Sequence, residues 1–170
     1  MSKVLREAVK VSYEYPEVAI PDKPSELIRE VVEDMRQVGK LPHVIFDMDA
    51  WCQKEGDRRC SVCAAGAWMY AKANFPRDSE NMERIAEFIE DMSSNEVHDI
   101  MSAIDDLRIK SLECSLYSLD REYSFPDNID TDAIVVELQN CFPSTYNSEN
   151  AQSVMAAFMK CAKVLESHGL

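Results

Sequence analysis

Glycine is scarce in this chain: of 170 residues, only Gly39, Gly56, Gly66 and Gly169 lack a side chain. Phosphate-cradling loops and nucleophile elbows need two or three glycines at fixed spacing. No G-x-x-x-x-G-K-[ST], G-x-G-x-x-G or G-x-S-x-G pattern occurs. Basic residues are also few, 18 Lys and Arg against 31 Asp and Glu, for a formal net charge of −13. That balance opposes attraction to nucleic-acid phosphates and to anionic membranes, so direct binding to either is not expected; it does not oppose a basic protein surface. No apolar run approaches the roughly 20 residues that span a bilayer. The opening MSKVLREAVKVS has charges scattered through it and no apolar core, so no secretory leader is expected and a cytoplasmic location follows as the default. The three histidines, His43, His98 and His168, are far apart in sequence and suggest no catalytic constellation.

What is present is an ordinary globular composition, 46% hydrophobic and 29% charged, in a chain long enough to bury a real core. Helical periodicity dominates. After Pro24, residues Leu27, Ile28, Val31, Val32, Met35 and Val38 fall on one helix face, closed by Gly39 and Pro42. The run HVIFDM at 43–48 fits either an extended stretch or an approach to the next helix. The text predicts a second helix over 60–74 and a third over about 79–92 with Met82, Ile85, Ala86 and Ile89 inward. A fourth begins at a capping box of Ser93 and Glu96. Residues 107–119 either continue that helix or start another. A short helix capped by Asp130 or Thr131 runs to Cys141, and a last one uses Val154, Phe158, Cys161 and Leu165 and ends at Gly169. The expected fold is mainly α: an irregular single-domain bundle of about six to seven helices over residues 1–170. One short N-terminal β element is offered by VKVSYEY.

Six cysteines, Cys52, Cys60, Cys63, Cys114, Cys141 and Cys161, are expected as reduced thiols, because nothing marks secretion. Cys60 and Cys63 form a C-x-x-C pair, and with Cys52 and His43 upstream they offer four zinc ligands within a short span. The second paired ligand set of a zinc knuckle is missing. A zinc deaminase would need H-x-E and P-C-x-x-C, and neither occurs. A thioredoxin-type dithiol would gain from Arg58 and Arg59 but wants a βαβ context. The packing alternative is a seam of small residues, Cys60, Cys63, Ala64, Ala67 and Ala71, thinned further by Ala65 and Gly66. It would let another helix approach closely, with Trp51, Trp68 and Tyr70 filling the space around the crossing. No cofactor is expected on this reading, with zinc as the alternative.

The string F-D-M-x-x-W, a cysteine-bearing turn and then C-x-A-G-x-W resembles a motif of small uncharacterised bacteriophage and prophage proteins. Those proteins carry F-x-M-x-x-W followed by C-x-A-G-x-A or C-x-A-G-W-A. The matching residues are Phe46, Met48, Trp51, Cys63, Ala65, Gly66 and Trp68, within about 25 of the 170 positions. Cys60 and the second tryptophan depart from the common pattern. The resemblance implies a mobile-element origin and brings no activity with it.

The acidity is local. Between residues 78 and 106 stand Asp78, Glu80, Glu83, Glu87, Glu90, Asp91, Glu96, Asp99, Asp105 and Asp106 against Arg84 alone, so this stretch holds nine of the thirteen net negative charges. Helical spacing puts Glu80, Glu83, Glu87, Glu90 and Asp91 opposite the apolar face of the third helix, and Glu96, Asp99 and Asp106 extend the theme onto the fourth. Either this is a solvated face, or it docks a basic protein, of which imitation of a DNA phosphate array is the extreme. Calcium fits poorly: Asn128, Asp130 and Asp132 lack the glycine an EF-hand loop needs next. The expected function is therefore non-enzymatic binding of a basic surface through this stretch.

Overall fold

A computed structural model describes residues 17–49, 51–56, 59–73, 81–93 and 97–170. Seven helices and three short strands follow one another in these residues: α1 (Pro24–Val38), β1 (Val44–Phe46), β2 (Cys52–Glu55), β3 (Arg59–Val62), α2 (Ala64–Lys72), α3 (Met82–Ser93), α4 (His98–Arg108), α5 (Leu112–Tyr123), α6 (Thr131–Gln139) and α7 (Ala151–Ser167). The architecture is the expected mainly helical, irregular bundle, and one continuous apolar cluster runs through it. The candidate strand VKVSYEY lies outside the described residues. Among the described residues no helix is long and apolar enough to cross a membrane.

α1 starts with Pro24 in its first turn, and all six of its periodic apolar residues are fully buried. Each such side chain contributes roughly 1.5–3 kcal/mol on burial. That face packs mainly on α7 and α2, while α4 and α5 form the other extensive helix pair. α7 ends in a Schellman motif: Gly169 is left-handed (φ 82°), its N–H donates to Glu166 O, and the Leu170 N–H reaches back to Leu165 O at 3.0 Å. The chain between residues 107 and 119 breaks in the same manner. Lys110 takes the left-handed turn (φ 64°) and the Ser111 N–H donates to Asp106 O at 2.8 Å, so α4 and α5 are separate helices.

Two expectations are corrected. Residues 60–62 are not helical: Cys60 lies in β3, which pairs parallel with β1 (Val44 opposite Cys60) and antiparallel with β2 (Cys52 opposite Val62). The undecided run at 43–48 thus holds the edge strand β1 of a mixed sheet of order β1-β3-β2. Ser93 is the last residue of α3 rather than a cap for α4, whose N-cap is Val97.

Candidate functional site

The cysteine segment folds as a corner in which α2 is enclosed on every side. Every residue from 64 to 70 is buried, as expected of a helix apolar all round. α1, α3, α4, β2 and β3 surround it. Trp68 is fully buried and its indole N–H donates to Glu30 Oε1 on α1 at 2.9 Å, while Lys72 forms an ion pair with the same carboxylate. The expected close approach does occur, but at Gly66 it is not made by a helix. A Cβ on Gly66 would stand 1.4 Å from the Trp51 carbonyl oxygen, so the backbone ahead of β2 lies directly on α2's first turn. Trp51 then reaches α4, donating from its indole N–H to Asp105 Oδ2 at 3.3 Å and meeting the His98 ring edge-on. Of the motif residues, Trp51 and Cys63 both meet Gly66, and Met48 and Trp68 are buried in the same apolar cluster.

The four zinc-ligand candidates are not gathered. His43 is buried, and its Nε2 is hydrogen-bonded to the Tyr70 hydroxyl at 2.9 Å. Cys63 caps α2, its sulfur accepting from the Gly66 N–H at 3.3 Å. Cys52 and Cys60 touch each other, Sγ to Sγ at 3.0 Å. Among the described residues no group of three or more His, Cys, Asp or Glu side chains is placed to hold a metal ion. All six cysteines are thiols outside any disulfide. Neither Cys63 nor Cys52 is an activated nucleophile: burial, then the Asp105 charge, pushes Cys63 up to about 12. The hydrogen bond with Cys60, then burial, holds Cys52 far above the usual thiol range. The parallel β1–β3 pair leading into α2 supplies part of the context a redox dithiol would need, but Cys60 sits inside the strand, away from the helix turn.

The acidic residues divide. Glu83, Glu87, Glu90 and Asp91 are exposed on α3, whose other side buries Met82, Ile85, Phe88 and Ile89. Ala86, expected inward, is only half-buried, and Phe88 takes that inner place. On α4 the acids turn to the protein itself. Asp99 forms an ion pair with Arg121 on α5, Oδ2 to Nε at 3.3 Å, and Asp105 is held by Trp51 and by Arg108 Nε at 3.1 Å. Asp106 is half-buried, its carboxyl pushed above the usual range by burial and then by Asp105. Asp78, Glu80 and Glu96 lie outside the described residues. Among the described residues of the acidic stretch, the coherent exposed carboxylate face is that of α3.

A shallow open cleft of about 200 Å³ lies elsewhere, between the start of α5 and α6, lined by Lys110, Leu112, Glu113, Cys114, Val135 and Gln139. Sequence reasoning did not find this cleft or the Cys52–Cys60 contact. The second had a signal in Gly56, which takes a left-handed conformation (φ 64°) at the β2–β3 turn. Comparisons with protein-family models, with curated proteins and with solved structures gave no match.

Proposed function

We propose that this chain is a non-enzymatic interaction protein, encoded by a phage or prophage, that docks a basic surface of another protein through the outer face of α3. One observation carries the reading: Glu83, Glu87, Glu90 and Asp91 are exposed together on a helix anchored by its opposite face. The spacing has a cost. Glu83 with Glu87, and Glu87 with Asp91, are like charges one turn apart, each destabilising an isolated helix by roughly 0.2–0.5 kcal/mol. A lysine- and arginine-rich partner relieves that repulsion and is steered to the face by the net charge of −13. On α4, Asp99 and Asp105 are ion-paired with Arg121 and Arg108. Surfaces of nucleic-acid-binding proteins have the required chemistry, and a DNA-like array of carboxylates is the limiting form of such a mimic.

The test uses a helical lysine- and arginine-rich peptide as the probe and two triple variants of equal net charge. Glu83→Lys, Glu87→Lys and Glu90→Lys together are expected to weaken binding at least about tenfold and to remove most of its salt dependence. Glu17→Lys, Glu122→Lys and Asp127→Lys, exposed elsewhere, are expected to bind within about threefold of the intact chain. Equal weakening by both triples would mean that net charge alone is read, and the proposal would fail.

A further inference from the structure

The sulfur contact between β2 and β3 is left unused by this reading. Cys52 stands opposite Val62 and Cys60 opposite Lys54, so the two cysteines are diagonal neighbours whose side chains leave the same face of the hairpin. Their sulfurs are 3.0 Å apart, against about 2.05 Å in a disulfide. Closing that gap needs no new strand register. Cys52 is half-buried and reachable, whereas Cys60 is fully buried behind it. The other cysteines have different roles. Cys63 is engaged as the α2 cap, Cys114 is exposed on α5, Cys141 donates from its sulfur to Glu137 O at 3.8 Å, and Cys161 is buried on α7.

We infer that Cys52 and Cys60 are a reversible oxidation site, closing into an intramolecular disulfide by exchange with a low-molecular-weight disulfide such as oxidised glutathione. Cys52 releases its proton to solvent and its thiolate attacks one sulfur of the glutathione disulfide. That S–S bond breaks, and one glutathione thiolate leaves and takes up a proton. Cys60, deprotonated in turn, attacks the Cys52 sulfur of the mixed disulfide, forms the Cys52–Cys60 bond and expels the second glutathione. Two protein thiols lose two electrons and two protons, and one disulfide becomes two thiols. Burial and the mutual hydrogen bond keep Cys52 in its thiol form, so exchange is slow and the site is read at equilibrium.

The experiment equilibrates the full chain, folded and in urea, across a series of oxidised-to-reduced glutathione ratios. Samples are quenched in acid and alkylated, and the links are mapped by mass spectrometry. The folded protein is expected to form the 52–60 link at a ratio at least about tenfold lower than the urea-unfolded chain, because contact has already brought the thiols together. Cys60→Ser is expected to stop at glutathione attached to Cys52; the wild-type map does not depend on that variant folding. The inference is overturned if Cys52 and Cys60 stay thiols or carry only glutathione in the folded protein. It is equally overturned if they link only in urea, or if a bond to Cys63 or a Cys141–Cys161 bond forms in their place.

Discussion

Of the four glycines, Gly66 is the one at which a side chain is tolerated least. Its Cα faces the Trp51 backbone so closely that a methyl group would overlap the carbonyl oxygen, and backbone on both sides leaves no flexible group to yield. Gly66→Ala is therefore expected to destabilise the chain by at least about 3 kcal/mol, read as a loss of denaturation midpoint. A wild-type midpoint would show that Trp51 does not lie there. Gly39 is a gentler case, since an added Cβ would meet the Phe46 ring edge at 2.9 Å, a side chain able to shift. Ser124 works the other way. It ends α5 in a left-handed conformation (φ 52°) on an exposed position. Ser124→Gly is expected to stabilise by about 0.5–1 kcal/mol, the relief of the left-handed strain exceeding glycine's entropy cost. The sequence singled out Gly66 as a thin place in a helix surface, but the identity of what fills it, an extended backbone rather than a second helix, depends on a tertiary contact that no local spacing encodes.

Among the elements, legibility followed the strength of the pattern. The six apolar positions of α1 repeat cleanly and all are buried, and Asp130 caps α6 by accepting from the Ala133 N–H at 3.0 Å. The strands were hidden for a physical reason. CQKE and RCSV are four residues each, too short for alternation to register, and Cys60 with Cys63 mimics helical spacing while one sits in a strand and the other caps a helix. On α4, counting charges missed that a carboxylate can point inward. Asp106 holds its proton to higher pH folded than unfolded, because burial and Asp105 disfavour its charge. Its ionisation thus costs stability above the usual carboxylate range, and the cost fades as pH falls through that range. Asp106→Asn is expected to raise the melting temperature at pH 7 and to lose that advantage by the acid end of the titration. A gain independent of pH would point to packing instead.

For the molecule as a whole, the formal charge of −13 is distributed unevenly, and the fold sharpens the unevenness. Arg121 and Arg108 neutralise acids of α4 within the bundle, while α3 keeps an exposed row on a helix fixed from behind by Met82, Ile85, Phe88 and Ile89. On the proposed reading such a face needs no pocket, and complementary charge and helical spacing define the partner it would take. The most direct measurement is an amide chemical-shift titration of the intact chain with the lysine- and arginine-rich helical peptide, at low salt and again at high salt. The account predicts perturbations concentrated on Glu83, Glu87, Glu90, Asp91 and their neighbours on α3, shrinking as salt rises. Shifts spread evenly over exposed acids such as Glu17, Glu113 and Asp132, or centred on another face, would contradict it.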